Sequence, residues 1–261
     1  IKKLEMSYDM HIKIIKYCKQ KKIKFLSSPF CIDSFDLLRK FNLDFIKIPS
    51  GEITNLPLLR HIRKFNNDII LSTGMSNLNE IKNAVQILKN KNRKIILLHC
   101  NTEYPTPIFD INLNAMQALK KKFKLEVGYS DHSLGTQVPV IAASLGAKVI
   151  EKHFTISKKM VGPDHVASLN PKELISMVKA IRTTEIILGK SEKFVSNSEK
   201  KNLLIARKSL FAACDIKKGE KFSLNNLVCL RPGSGISPIN IDQVCKRKAK
   251  KNILKGQLIK I

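Results

Sequence analysis

Tryptophan is absent from these 261 residues and aromatics make up only 6%, so few rings are available to stack on nucleobases. Acidic residues are also scarce: 21 Asp plus Glu stand against 47 Lys plus Arg, a formal net charge of +26. A basic face suits nucleic acid because it releases phosphate counterions. Here, though, lysine runs along the whole chain beside Ile and Asn, so the charge reads as compositional background and no nucleic-acid partner is expected. Long hydrophobic runs are missing too. A stretch such as Val138–Ala143 is soon broken, whereas a membrane helix needs about 20 apolar residues, so no membrane association is expected. Ile1-Lys2-Lys3-Leu4-Glu5-Met6 has neither an initiator Met, an apolar core nor a cleavage site and reads as an internal start rather than a signal peptide. The six cysteines, Cys18, Cys31, Cys100, Cys214, Cys229 and Cys245, form no C-x-x-C and no Cys/His cluster at zinc spacing. That excludes a zinc module and fits a reducing, cytoplasmic setting. Gly233-Ser234-Gly235 is not followed by a helix with a third Gly, so it is no dinucleotide fingerprint.

What is present is a core-forming sequence, 43% hydrophobic. At about 150 residues per domain its length predicts one large or two unequal domains, with α/β barrels the usual single-domain exception. Six apolar, β-branched runs each end in small polar or ionisable residues: Ile23–Ser28, Phe45–Ser50, Ile69–Thr73, Ile95–Cys100, Leu125–Ser130 and Val149–Phe154. Amphipathic stretches lie between them at Ser34–Phe41, Leu56–Phe65, Asn79–Lys91, Asn112–Phe123 and Val138–Leu145, and another follows at Pro171–Leu188. Strand, helix, strand at this spacing means parallel βαβ units. An open sheet gathers ligands at one switch point, whereas a barrel brings every strand's C-terminal end around one site. Polar residues at nearly every strand end therefore favour an α/β fold of the TIM (β/α)8-barrel type. Six strands do not close eight, and the chain opens on a helical stretch, Leu4–Lys21, so two βα units are expected to be missing at the N-terminus. The expected division is a catalytic partial barrel over 1–190, a Lys-rich linker over 191–200 and a small β-rich domain with Gly turns over 201–261.

The strand ends carry the chemistry. His132 and His153 end consecutive strands, and two imidazoles there either hold one divalent ion with open positions for water or substrate, or simply hydrogen-bond at the rim. His99 lies on another strand end, where the apolar run before it favours a structural role; His11 and His61 fall on helical faces and are expected to be solvated. Lys47 with Ser50 places an ammonium beside a hydroxyl, and Ser72-Thr73-Gly74 adds hydroxyls, a turn and a helix N-terminus suited to phosphate. The alternative for Lys47 is a lysine snorkelling to the rim. Asn101–Pro107 is too proline-rich for a helix and forms a loop over the site. Asp164, in Gly162-Pro163-Asp164-His165, is a general base, a sugar-hydroxyl acceptor or a turn residue.

In order along the chain stand Ser27-Ser28-Pro29-Phe30, Lys47-Ile48-Pro49-Ser50-Gly51-Glu52, Leu71-Ser72-Thr73-Gly74-Met75, His99-Cys100, Tyr104-Pro105-Thr106-Pro107, Gly128-Tyr129-Ser130-Asp131-His132, Glu151-Lys152-His153-Phe154-Thr155 and Gly162-Pro163-Asp164. Together they resemble the sialic acid synthases, enzymes that condense phosphoenolpyruvate with a sugar to make N-acetylneuraminate, legionaminate or pseudaminate. Ile216-Lys217-Lys218-Gly219 and Arg231-Pro232-Gly233-Ser234-Gly235 are similar to the antifreeze-like SAF domain of those enzymes. The resemblance implies a condensation of phosphoenolpyruvate with an N-acylmannosamine-type sugar, with His132 and His153 holding Mn²⁺ or Mg²⁺. It also implies that Lys47, Ser50, Ser72, Ser130, Ser28 and Thr102 cradle phosphoenolpyruvate, that Tyr104 and Asp164 contact the sugar, and that Glu52 lies beside the reacting centre. A homodimer is implied in which the SAF domain covers the partner's barrel and Arg231 reaches the sugar in trans. Thr102-Glu103 before Tyr104-Pro105 leans towards the legionaminate branch. Members of that family begin with one strand bearing a catalytic Glu and another bearing a phosphate-binding Lys. The competing readings are therefore an inactive truncated synthase and a basic nucleic-acid-binding protein.

Overall fold

Five of the β-branched runs pair as parallel strands, and the helices between them carry the chain back to the end of the sheet where each strand starts, so that the next strand pairs alongside. The structure is a computed structural model that describes residues 5–261. It divides into two units, Ile1–Gly189 and Lys190–Ile261. In the first, helices α1 (Tyr8–Gln20) and α2 (Ile32–Arg39) precede an alternation of β1 (Phe45–Ile48), α3 (Leu56–Arg63), β2 (Asp68–Ser72), α4 (Leu78–Leu88), β3 (Ile95–Cys100), α5 (Asn114–Phe123), β4 (Glu126–Asp131), α6 (Gln137–Ser144), β5 (Ile150–Lys152) and α7 (Pro171–Leu188). The strands lie in sequence order as a curled half-barrel sheet. This is the expected barrel-type α/β architecture, with one correction: Ile23–Ser28 forms no strand and joins no ladder among the described residues. Phe25 packs on the core and Lys24 pairs with Asp44 at 2.7 Å, yet Ile23 and Leu26 stay exposed, so side chains and not ladder hydrogen bonds attach this segment. The start of the expected first helix, at Leu4, lies outside the described residues.

The strands alternate strictly between the two faces of the sheet. Ile46, Ile48, Ile69, Leu71, Ile95, Leu97, Val127 and Tyr129 point outward and pack with helical Phe35, Leu58, Ile62, Ile81, Leu88, Met116 and Leu119. Ile70, Ile96 and Leu98 form a separate cluster with Phe45 and Val149 on the inner face. Gly128 occupies an inner position where a Cβ would stand 2.3 Å from the Val149 carbonyl oxygen and 2.6 Å from Leu98 Cδ2, so only glycine lets β4 and β5 approach this closely.

Caps place the helix starts. At α4 the Asn77 side chain accepts from the Asn79 and Glu80 N–H groups while the Glu80 carboxylate accepts from the Asn77 N–H. Asn170 and Glu173 do the same at α7, with Pro171 in the first turn. Arg93, 8% exposed, ties two helix ends together: its guanidinium donates to the carbonyls of Leu88 at 2.7 Å, Ile62 at 3.0 Å, and Phe65.

In the second unit α8 (Lys200–Ala206) leads into β6 (Ser209–Ala212), which pairs antiparallel with β7 (Leu227–Leu230); α9 (Ile241–Cys245) follows. Single bridges join Ile216 to Ile253 and Lys221 to Lys248 around a core of Leu210, Ile216, Phe222, Val244, Ile253 and Ile259. No helix of the described residues is long and apolar enough to cross a membrane.

Arg93→Ala leaves three carbonyls without their donor and is expected to lower the stability of the first unit by about 3 kcal/mol. Urea unfolding followed by circular dichroism measures this, and an unchanged midpoint would show that the guanidinium does not staple α3 to α4.

Candidate functional site

The same alternation that sends Ile46 and Ile48 to the helices turns Lys47 inward, and it does the same for Ser72, Cys100, Ser130 and Glu151 on the next four strands. His132 and His153 continue the inward phase two residues beyond Ser130 and Glu151. All of these but His153 meet where the strands end, in a cavity of about 280 Å³ lined by Lys47, Ser50, Ser72, Cys100, Thr102, Tyr104, Ser130, His132 and Glu151. An adjoining cavity of about 230 Å³ shares Lys47 and Glu151 and includes Ser28. Grooves elsewhere are larger, one of about 530 Å³ between α3 and α4, but its wall mixes helix-surface Arg60, Arg63 and Glu80 with apolar residues and gathers no strand-end chemistry.

The Lys47 ammonium, with only 12% of the side chain exposed, lies 3.1 Å from Glu151 Oε1, and the Ser130 hydroxyl donates to the same oxygen at 2.7 Å. Lys47 is therefore paired inside the cavity and does not snorkel to the rim. Ser50 Oγ accepts from the Gly74 N–H at 3.0 Å and sits 3.2 Å from Cys100 Sγ. A Cβ on Gly74 would stand 2.7 Å from Thr102 Cγ2, 2.8 Å from Cys100 Sγ and 2.9 Å from Ser50 Oγ, so the backbone N–H approaches because the residue is glycine. Ser72 is 2% exposed and its hydroxyl has no hydrogen-bond partner among the described residues. One ammonium, three hydroxyls and a glycine turn make a cradle for a phosphate or carboxylate.

Opposite stand the histidines, ring centroids 5.3 Å apart. His132 Nδ1 donates to the Asn101 carbonyl at 2.5 Å, which fixes the tautomer and leaves Nε2 with its lone pair. Burial holds the His132 pKa below the ordinary imidazole value, with His153 adding to the effect. Tyr104 packs on both rings, at 4.0 Å from His132 and 5.2 Å from His153. Burial also raises the Tyr104 pKa, helped by Cys100, Asp164 and Glu151, so its hydroxyl stays a donor. Asp164 Oδ2 lies 3.8 Å from His153 Nδ1. Among the described residues no group of three or more His, Cys, Asp or Glu converges on a metal position. The donor set thus fits an open two-imidazole site completed by water or substrate, not a closed protein cage.

Of the other residues singled out in the sequence, two histidines expected to be solvated, His11 and His61, need correction. Glu52 is not brought to either cavity; its carboxylate accepts from Asn55 Nδ2 at 2.6 Å, one turn past Ser50. His11 is not solvated: it is 6% exposed and stacks on Phe41 at 5.3 Å, with Nδ1 bonded to the Ser7 carbonyl. His61 is bonded to Asp36 at 2.9 Å and meets Phe35 edge-on. His99 faces outward and its Nε2 donates to the Ile111 carbonyl at 2.9 Å, a structural role. Arg231 lies in the second unit, where Nε donates to the Ala206 carbonyl at 3.0 Å. Residue types alone do not single out Glu151 or Cys100. The signal that finds them is phase: each sits an even number of residues from an inward neighbour on its own strand.

A sequence model of the NeuB family matches residues 1–193, and one of the SAF domain matches residues 207–261. The chain belongs to the NeuB family. An N,N'-diacetyllegionaminic acid synthase of Campylobacter jejuni is 51% identical over 263 residues, covering 100% of this chain and 79% of the relative. One of Legionella pneumophila is 40% identical over 261 residues, covering 98% and 73%. The solved N-acetylneuraminic acid synthetase of Leptospira borgpetersenii aligns with a TM-score of 0.72 at 35% identity, covering 76% of this chain and 70% of that one.

In this NeuB-family chain burial depresses both His132 and His99. Unfolded imidazoles titrate near about pH 6.5, so on acidification the unfolded chain takes up protons before the folded one does. The stability these neutral rings support is complete above that pH and is lost as pH falls towards their folded values. The urea midpoint is expected to drop between about pH 7.5 and about pH 5.5, and His99→Gln to flatten part of the drop. An identical slope in the variant would remove His99 from this account.

Proposed function

We propose that this chain is a nonulosonate synthase, which condenses phosphoenolpyruvate with an N-acylmannosamine-type sugar to give a nine-carbon 2-keto acid and phosphate, with the 2,4-diacetamido sugar of the legionaminate branch as its substrate. The observation that carries the reading is one cavity of this NeuB-family chain that joins an anion cradle (Lys47, Ser50, Ser72) to His132, whose ring lies 5.3 Å from that of His153. The names of the relatives at 51% and 40% identity support the legionaminate branch over N-acetylneuraminate.

In this reading Lys47, Ser50, Ser72, Ser130 and Thr102, with Ser28 from the adjoining cavity, bind the phosphate and carboxylate of phosphoenolpyruvate and set its C3 towards the sugar aldehyde. Tyr104, which remains protonated, and Asp164 hold the sugar hydroxyls and orient that aldehyde. A divalent ion, Mn²⁺ or Mg²⁺, held by His132 and His153 would supply Lewis acidity at the aldehyde oxygen. The C2–C3 π electrons form the new bond to the sugar carbon, and the aldehyde oxygen becomes a hydroxyl by gaining a proton. Water then adds at the electron-poor C2 and sheds a proton, for which Glu151 is the carboxylate at hand, bound to Lys47 and Ser130. The C2–O bond to phosphate breaks as the new C2 hydroxyl gives up its proton to the departing phosphate, which leaves the 2-keto acid; of the two protons of the one water consumed, one balances that gained by the aldehyde oxygen and the other leaves on phosphate. Glu52, bonded to Asn55, takes no step.

Catalysis is assigned to 1–190 and an SAF domain to 201–261, joined by 191–200. Arg231 is assigned to the sugar's N-acyl group within a homodimer, reached from the partner subunit. Six free thiols suit a reducing cytoplasm.

Incubation with phosphoenolpyruvate, Mn²⁺ and the 2,4-diacetamido sugar is expected to release phosphate faster than incubation with N-acetylmannosamine. No release with either sugar would overturn the assignment. Lys47→Ala removes a charge-assisted contact of about 2 kcal/mol and is expected to raise the KM for phosphoenolpyruvate by about 30-fold, whereas His153→Ala loses bound manganese by elemental analysis.

A further inference from the structure

We propose that the buried pair Asp131–Lys152 is a positioning device that sets the approach of His132 to His153; the proposal rests on the reading of those histidines as metal ligands. Asp131 and Lys152 are register partners on β4 and β5, each immediately preceding one of the histidines. Their side chains are 0% and 3% exposed, with Lys152 Nζ 2.5 Å from Asp131 Oδ2. The same ammonium donates to the Ser133 carbonyl, while Asp131 Oδ1 accepts from the Ser133 N–H at 2.9 Å and from its hydroxyl at 2.7 Å. Both carboxylate oxygens are therefore engaged, and the turn after His132 is tied to the residue before His153.

Three observations make this more than packing. By the alternation of the strands, Asp131 and Lys152 point away from the cavity, into the layer that elsewhere holds Val127, Tyr129 and Ile150. An apolar pair in that layer would avoid the desolvation of two charges, and buried ion pairs are best attested where they fix register. The strand they anchor is short: β5 has three residues and, among the described strands, pairs only with β4. His153 follows its last residue, so its distance from His132 depends on what holds that strand end. The histidines are otherwise fixed from different quarters, His132 by the Asn101 carbonyl and His153 by its own carbonyl accepting from the Leu169 N–H at 2.9 Å. The ion pair links the two strand ends on the outer face, as the Ser130–Glu151 hydrogen bond does on the inner one, and it alone of the two also holds the turn at Ser133.

Mn²⁺ alone, titrated by electron paramagnetic resonance into the full chain, tests this. The unsubstituted protein is expected to bind Mn²⁺ and His132→Ala to lose it. Lys152→Met is expected to weaken Mn²⁺ binding by about 10- to 100-fold, with Lys152→Arg restoring most of the affinity. Phosphoenolpyruvate binding by calorimetry should persist in both, because Lys47, Ser50 and Ser72 belong to β1, the turn after it and β2, and Ser130 points to the opposite face of β4 from Asp131. A purely structural pair would lower the melting temperature of Lys152→Met without moving Mn²⁺ affinity, and that result would overturn the proposal while leaving the metal assignment intact. Failure of the unsubstituted protein to bind Mn²⁺ would overturn the metal assignment and the positioning role with it. If Lys152→Met does not fold, Ser133→Ala, which removes only the hydroxyl steadying Asp131, carries the test: several-fold weaker Mn²⁺ binding is expected, and unchanged binding overturns the proposal.

Discussion

Everything in the first unit depends on five parallel strands staying in phase. Lys47 is level with Ile70, Ile70 with Ile96, Leu98 with Gly128, Cys100 with Ser130, and Ser130 with Glu151. Each pairing joins inward residue to inward residue. Because side chains alternate with a period of two, a slip of one residue on any strand would send its outward Ile or Leu into the cavity and its polar end group into the helices. The large apolar layer outside the sheet penalises that slip, so the burial of Ile46, Ile48, Leu71 and Leu97 is also what aims Lys47 and Ser72. Core and site are two faces of the same constraint.

Charge is handled in three ways at these strand ends. Lys47 is held by a carboxylate inside a cavity, ready for an anionic ligand; Asp131 and Lys152 neutralise each other away from solvent; and His132 is kept neutral by burial, which preserves the lone pair a ligand needs. Apart from half-buried Lys158, the other lysines among the described residues are exposed, where water screens them. The formal charge of +26 therefore says little about function, and a few buried charges say much.

The expectations that failed did so for identifiable reasons. Ile23–Ser28 has strand composition, but a strand also needs a backbone partner, which composition does not encode. His11 was assigned by its place on a helix face, and its surroundings, Phe41 and Phe25, come from parts of the chain that only packing brings near. Glu151 was legible in principle, since it shares a face with His153, but nothing in the residue type separates it from Lys152 beside it until the inward side of the strand is known.

The sequence by itself determined the βαβ alternation, the run of strand-end motifs, the second β-rich region and the family, because these rest on local periodicity and on the order of residues along the chain. The tertiary structure decided which of two adjacent charged residues enters the cavity and which is buried behind it, how near the histidines stand, and that Ser72 lines the same cavity as Ser50 and Lys47. Those outcomes depend on register and sheet curvature, which are set jointly by residues far apart in the chain.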